Sequence, residues 1–114
     1  MSVPRTQVLL RDLSTHASRI RDIYARAGSG FAKDVTAQEA TLWNLVVLGE
    51  ICVRLGEPFH DAHPSIPWAD IIAQRNVVAH GYDIMNWERL AATIEKDIPA
   101  LIAEAEKLLR AYGS

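Results

Sequence analysis

Apolar residues recur every three or four positions along most of the chain, the spacing that places them on one face of an α-helix. The first series predicts a helix over residues 4–27, with Gly28 directly after it as a C-terminal stop. A second series predicts a helix over 37–55 that ends before Gly56. The Thr-Ala-Gln-Glu run that starts at Thr36 fits a capping box at the start of this second helix.

The middle of the chain predicts shorter helices. The stretch 57–66 is polar and contains prolines, and it predicts a single helical turn. A third long helix is predicted over 67–79, because Pro67 suits the first helical position, where its missing N–H would have had no partner. Gly81 provides the residue that ends this helix.

The last helix is predicted to start near Asn86, with Glu88 in its first turn and Lys107 and Arg110 in its last, which matches the helix macrodipole. Pro99 is expected to kink or interrupt it. No alternating apolar run bounded by turn residues predicts a strand, and no repeat is present. The pattern therefore predicts an all-α fold, a four- to five-helix up-and-down bundle.

The composition fits one domain over residues 1–114, because compact domains usually have roughly 100–200 residues. Apolar residues make up 49% and charged residues 23%, enough to form a core. Cys52 is the single cysteine, so no disulfide can form within the chain. No apolar run is long enough to span a membrane and no signal peptide opens the chain, so the expected location is the cytoplasm.

The charge is divided unevenly along the chain. Residues 1–33 carry six basic and two acidic residues, a balance of +4, and the remainder carries six basic and twelve acidic residues, a balance of −6. The sum is the net charge of −2. A general polyanion binder would be strongly basic, so any nucleic-acid contact must be local, or the partner is a protein with a basic face.

Helix three carries an arginine where an apolar residue is expected. At about 100° per residue, Arg75 falls in the middle of the apolar sector, although guanidinium groups are almost never buried without a partner. One interpretation is an arginine at the edge of the core that pairs with a carboxylate such as Glu50 or extends to solvent. The other is an arginine that lines an anion site or a dimer cleft. The sector consists of Trp68, Ile71, Ile72, Val78 and Ala79.

The segment 74–82 brings a guanidinium, an amide, an imidazole and a phenol into nine residues. On a continuous ideal helix, Arg75 and His80 would point about 140° apart. Both could contact one ligand only if the helix ends near His80, or if two copies of the segment face each other across a two-fold axis.

The run Arg75-Asn76-Val77-Val78-Ala79-His80-Gly81-Tyr82 resembles the Arg-x4-His-x-Tyr motif of the HepT-like toxins, a branch of the HEPN superfamily of nucleotide-binding helical domains. The segment 63–72 is similar to the part of that family that precedes the motif, and 44–50 is similar to its second-helix signature. The resemblance covers roughly residues 5–110.

This resemblance implies a HEPN-like bundle that forms a homodimer, with the two motifs lining a shared cleft. It implies the toxin of a type VII-like toxin–antitoxin pair, a metal-independent endoribonuclease that acts on RNA without a cofactor. It also implies a partner, an MNT-type minimal nucleotidyltransferase antitoxin that transfers AMP to the motif tyrosine, Tyr82.

The chemistry of the residues agrees with that activity. RNA cleavage without a metal needs a group that titrates near neutral pH to move the 2′-hydroxyl proton, and His80 is the candidate. Arg75 is suited to stabilising charge on the phosphoryl oxygens. Asn76 could hold the backbone or a phosphate oxygen, and Glu50 could fix the guanidinium by a bidentate pair. AMP on Tyr82 would add bulk and negative charge beside the site.

Other residues have plainer explanations. His60 and His63 lack a third ligand nearby, so polar surface residues are favoured over a metal site. His16 is expected at the boundary of the apolar face of helix one, and Cys52 is expected to be a small buried residue. The tryptophans are expected in the core or in the dimer interface: Trp43, Trp68 and Trp87.

Four arginines lie in one sector of helix one: Arg5, Arg11, Arg19 and Arg26. Asp12 and Asp22 share that sector, so a solvated face with pairs such as Asp22 with Arg26 is favoured over a docking strip for RNA or antitoxin.

Three classes of function remain open. The first is the ribonuclease toxin, the second is a non-catalytic subunit that binds substrate or nucleotide for a minimal nucleotidyltransferase, and the third is a helical dimerisation protein.

Overall fold

A computed structural model describes residues 3–80 and 85–112, with the backbone alone for 77–80. Within these residues the chain forms α-helices and no strand, so the predicted all-α class is confirmed. The helices are α1 Arg5–Ala27, α2 Val35–Leu55, α3 Glu57–Ala62, α4 Trp68–His80 and α5 Trp87–Arg110. A 3₁₀ segment, Gly28–Lys33, joins α1 to α2. None of the described helices has both the length and the apolar character needed to cross a membrane.

The four long helices pack in the order α5, α1, α2, α4 and alternate in direction. The 3₁₀ segment turns the chain, so α2 runs back along α1. Helix α5 is also antiparallel to α1, because Phe31 contacts Trp87 at the start of α5 while Tyr24, earlier in the chain, bonds to Glu95 further along it. The start of α4 lies near the end of α2, because the His60 ring stacks on Trp68 and its Nε2 donates to the carbonyl of Cys52. The up-and-down order is therefore present.

The core is one connected cluster of buried apolar side chains from α1, α2, α4 and α5. Trp68 belongs to it at 6% exposure, whereas Trp43 is 65% exposed on the surface of α2. Trp43 is therefore not a core residue of the single chain. The largest side chains with almost no exposure are Phe31, Leu10, Leu13, Ile20, Leu48, Leu90 and Leu101.

The end of α1 and the start of α5 agree with the predictions, whereas the start of α2 does not. Gly28 ends α1 with a positive φ of 59°, and Asn86 caps α5 by accepting the N–H of Arg89 at 3.0 Å. The capping box at Thr36 is wrong, because Asp34 Oδ1 accepts the Ala37 N–H at 3.0 Å. A carboxylate two residues earlier in the chain reaches the free amides of the first turn, so the helix starts earlier.

Two proline predictions also need correction. Helix α4 begins at Trp68, so Pro67 stands just before the helix and its carbonyl accepts the Ile71 N–H at 3.1 Å. Helix α5 is not interrupted at Pro99, which is exposed, so that part of the prediction is wrong, and the kink stays a prediction. The missing N–H leaves only the carbonyl of Glu95 without its helical partner, and water can hydrate that exposed turn. The predicted stop at Gly81 lies outside the described residues.

Candidate active site

Gly49 allows α2 and α4 to approach closely at Arg75. A Cβ atom built on Gly49 would lie 2.5 Å from the Cβ of Arg75 and 3.0 Å from its Cγ and Cδ. Contacts this short do not occur between real side chains, so any larger residue would displace α4 or the arginine. The aliphatic part of Arg75 therefore packs on the bare backbone of α2, which fixes where the guanidinium emerges.

The guanidinium of Arg75 is held on two sides. Its Nη1 donates to Glu50 Oε1 at 2.6 Å. Its Nε and Nη2 donate to the side-chain oxygen of Asn76, at 3.2 and 3.0 Å. The pair with Glu50 is present as expected, but one carboxylate oxygen accepts from one nitrogen, so the expected bidentate form is wrong.

Two N–H donors of Arg75 have no acceptor among the residues that the structure describes. A guanidinium has five N–H groups, and Glu50 and Asn76 accept three of them. The Arg75 side chain is 26% exposed and that of Glu50 is 49% exposed. Solvent therefore reaches the pair, and an anion that approaches from solvent would meet a cation whose orientation is already fixed.

Helix α4 is continuous from Trp68 to His80. Positions 75 and 80 therefore lie about 140° apart around the same helix axis. The described helix ends at His80, so neither expected condition, a helix end near His80 or two copies of the segment facing each other, is ruled out. The side chain of His80 and the whole of Tyr82 lie outside the described residues, so their predicted roles stay predictions.

A cavity of about 330 Å³ lies between α1 and α2, and Glu50 lines its wall. We call it the α1–α2 cavity. Exposed Trp43 and half-buried His16 line it as well. Its other charged wall residues are Asp12 and Arg54.

His16 is fixed in this cavity by a buried residue of α2. Its Nδ1 lies 2.8 Å from Oδ1 of Asn44, whose Nδ2 donates to the carbonyl of Ala40 at 2.8 Å. Asn44 is 5% exposed. His16 is half-buried, as expected of a boundary residue, but the apolar pattern does not predict its link between α1 and α2. The available clue was an asparagine inside the apolar helix α2, since buried amides need partners.

His60 and His63 are not free surface residues. The His60 ring stacks on Trp68 at 4.7 Å between centroids, and its Nε2 donates to the carbonyl of Cys52 at 2.6 Å. The His63 ring packs on Phe59 at 4.4 Å. The His60 ring therefore helps join α3 to α4, whereas the His63 ring packs within α3 and its end. Within the described part of the chain, His, Cys, Asp and Glu form no group of three that could hold a metal.

Of the remaining predictions, those on Cys52 and on the arginines of α1 agree with the structure, and the one on Asp22 does not. Cys52 is fully buried, as expected, and burial raises the pKa of its thiol to about 12. Asp22 contacts Arg21 at 3.2 Å rather than Arg26. The four arginines that share one sector of α1 are all exposed, in agreement with a solvated face: Arg5, Arg11, Arg19 and Arg26.

The family model described as ribonuclease HepT-like matches residues 13–108, which include Glu50, Arg75 and His80. "Putative RNase TTE0752" of Caldanaerobacter subterraneus subsp. tengcongensis is 27% identical over 112 residues, 96% of this chain and 97% of that protein. "Probable ribonuclease HepT" of Thermococcus cleftensis is 32% identical over 78 residues, 68% of this chain and 71% of that protein. No solved structure matches the chain significantly. The chain therefore belongs to the HepT-like ribonuclease family.

Proposed function

We propose that this protein is a metal-independent endoribonuclease and the toxin of a toxin–antitoxin pair. The observation that carries the proposal is the geometry of Arg75, a partly exposed cation fixed by Glu50 and Asn76, with two N–H donors that no described residue accepts. The names of two relatives, which call them ribonucleases, support the same activity. The proposed catalytic residues are Arg75 and His80.

In the proposed reaction, His80 removes the proton of a ribose 2′-hydroxyl, and the 2′-oxygen attacks the adjacent phosphorus. The bond from phosphorus to the 5′-oxygen breaks, that oxygen takes up a proton from water, and His80 returns its proton to solvent. The products are a 2′,3′-cyclic phosphate and a 5′-hydroxyl. The two remaining donors of Arg75 bind the phosphoryl oxygens, where negative charge develops in the transition state.

Glu50 and Asn76 act as supporting residues in this scheme. Both accept hydrogen bonds from Arg75, so the guanidinium does not have to be ordered when the substrate arrives. Because Asn76 uses its oxygen on Arg75, only its amide nitrogen is left for a phosphate oxygen. That nitrogen is the group that can donate to phosphate, so the contact with Arg75 leaves the expected role of Asn76 open.

The site is proposed to form in a homodimer. Positions 75 and 80 point about 140° apart on α4, so an Arg75 from one copy and a His80 from the other meet more readily than two from the same chain. The isologous contact of a two-fold dimer provides this arrangement twice.

The test is expression of the chain without a partner, followed by mapping of RNA ends. Growth arrest with new 2′,3′-cyclic phosphate ends is expected, and the purified protein should cleave RNA in the presence of EDTA. His80→Ala should abolish both effects. His63→Gln, which changes a histidine between α3 and α4, is the matched control and should stay toxic. A folded wild-type chain that cleaves no RNA but binds a minimal nucleotidyltransferase would favour the non-catalytic alternative.

Neutralisation is proposed to occur by AMP transfer to Tyr82 from an MNT-type nucleotidyltransferase. A transferred AMP adds a phosphodiester charge and a base, which would oppose binding of RNA phosphates. Co-expression should add AMP mass increments to the peptide that contains Tyr82. Tyr82→Phe should stay toxic and escape the antitoxin. If an active nucleotidyltransferase with ATP leaves that peptide unmodified, neutralisation occurs by binding alone.

A further inference from the structure

We infer that the α1–α2 cavity binds a nucleobase that carries an exocyclic amino group, on a nucleotide near the one held at Arg75. The inference rests on the proposed ribonuclease function, because it assigns a base specificity to the RNA at that site. It is carried by three features of the cavity: an exposed aromatic platform, an imidazole of fixed orientation, and hydrogen-bond acceptors that have no partner among the described residues.

Trp43 is the aromatic platform. Its side chain is 65% exposed, on the wall of a concave site of about 330 Å³. A large aromatic residue exposed to this degree gains little from folding of the single chain. Stacking on a base uses the flat face of the indole, which every base can match. Val47 beside it is half-buried and closes the apolar side of the cavity.

His16 has a defined tautomer. Asn44 donates its Nδ2 to the carbonyl of Ala40, so its oxygen faces the imidazole. An amide oxygen only accepts, and His16 Nδ1 must therefore carry the proton in this contact. In the neutral ring Nε2 is then an acceptor, and it has no hydrogen-bond partner among the described residues.

The cavity is rich in acceptors. Asp12 has no partner in the described part of the chain, and Glu50 uses one oxygen for Arg75 and leaves the other. Together with His16 Nε2, these groups suit a base edge with N–H donors. Carboxylates accept from the N4 amino group of cytosine, and adenine has a similar amino group, whereas uracil presents carbonyl oxygens in their place. The cavity therefore favours cytosine or adenine over uracil.

The position of the cavity links it to the proposed cleavage site. Glu50 belongs to both, since it lines the cavity and binds Arg75. Trp43 lies seven residues before Glu50 on α2, about 10 Å along the helix. Stacked nucleotides rise about 3.4 Å each, so a base on Trp43 belongs to a nucleotide two or three positions from the phosphate at Arg75.

The cavity suits a base better than an apolar protein surface. The centre of a protein–protein interface is depleted of charged residues, whereas Asp12, Glu50 and Arg54 surround Trp43 here. Arg54 also provides a cation for the phosphate of a bound nucleotide.

The test measures binding without cleavage. The purified protein, in whichever oligomeric state it has, is titrated into labelled hexanucleotides of cytidine or of uridine. Both are 2′-O-methylated so that they cannot be cut. Oligocytidine should bind at least about fivefold more tightly. Trp43→Leu should weaken oligocytidine binding about tenfold or more, while Trp43→Phe should retain most of it. Val53→Ala changes another exposed apolar residue of α2 outside the cavity and should have no effect.

The second variant is Asp12→Asn, which is exposed and does not disturb the His16–Asn44 contact. It replaces an acceptor by a group that also donates, so it should bring oligouridine binding to within about twofold of oligocytidine. Equal affinity of the wild type for both oligonucleotides would overturn the inference. So would a Trp43→Leu variant that changes from dimer to monomer in light scattering, because Trp43 would then contact a second copy.

The two proposals fail separately. A protein that cuts RNA but binds both oligonucleotides equally refutes the base site alone. A protein that never cuts RNA, yet loses its preference for oligocytidine in Asp12→Asn, refutes the ribonuclease proposal and keeps the base site.

Discussion

Arg75 combines two properties that usually exclude each other, an apolar setting and exposure to solvent. Gly49 accommodates its stem, and Glu50 and Asn76 accept three of its hydrogen bonds. The pairing with Glu50 could be predicted, because each residue interrupts an apolar helix face and opposite charges there need each other. The contact with Asn76 could not be predicted, since it depends on the rotamer of a neighbouring side chain.

Arg75→Lys tests the planar geometry of the guanidinium. A lysine keeps the charge and the contact with Glu50 but lacks the second and third nitrogen, so it cannot bind Asn76 and a phosphate at once. Cleavage should fall about tenfold or more, since hydrogen bonds to charged groups contribute about 1.5–3 kcal/mol. The thermal unfolding midpoint should change little, because the Glu50 pair is partly exposed and such pairs contribute about 0–1 kcal/mol. Full activity would contradict a bidentate role on phosphate.

Cys52 should behave as a buried, protonated thiol. Burial raises its pKa from 9.0 to about 12. The folded state therefore holds this proton more tightly than the unfolded state. Its contribution to stability is complete below pH 9 and is lost as the pH rises from 9 towards 12. Iodoacetamide at pH 8 should label the native protein slowly and the urea-unfolded protein fast. In alkaline unfolding curves, Cys52→Ala should lose stability less steeply over this range than the wild type does.

At the scale of helices, the hydrophobic period predicted where each long helix lies, but it did not predict which residue caps α2. The four long helices start and end within about two residues of the predicted bounds, because each has a buried face that repeats with the helical turn. Asp34 displaced the predicted cap because carboxylates and hydroxyls compete for the same amides. The His16–Asn44 contact joins residues 28 apart, so it depends on how α1 and α2 are rotated, which the pattern leaves open.

Gly49→Ala tests the close approach of α2 and α4. Alanine favours a helix by about 1 kcal/mol over glycine, but its methyl group would lie 2.5 Å from the Cβ of Arg75. We expect a net destabilisation of about 1–3 kcal/mol from overpacking, and a loss of cleavage as Arg75 moves. Urea unfolding and cleavage assays measure both effects. The control is Gly30→Ala, which meets no atom within 4 Å and should leave stability and activity nearly unchanged. A more stable and fully active Gly49→Ala protein would show that the helices can move apart at no cost.

At the scale of the whole molecule, the all-α up-and-down bundle followed from the order of helices and short connections. The assembly does not follow from the fold of one chain, because it depends on how two surfaces match. The acidic balance of residues 34–114 and the exposed arginines of α1 leave several faces that could meet a partner.

The predicted homodimer has a consequence that mixing two inactive variants can test. If Arg75 of one copy works with His80 of the other, Arg75→Ala and His80→Ala should each be inactive as pure dimers. A heterodimer of the two has one site with both residues intact and one site that lacks both. In an equal mixture that exchanges freely, half of the dimers are mixed and each has one of its two sites, so about a quarter of the wild-type activity should return. Light scattering must show a dimer at micromolar concentration, and native mass spectrometry must show the mixed species. Mixed dimers without activity would place both residues on one chain, and a monodisperse monomer would refute the shared cleft.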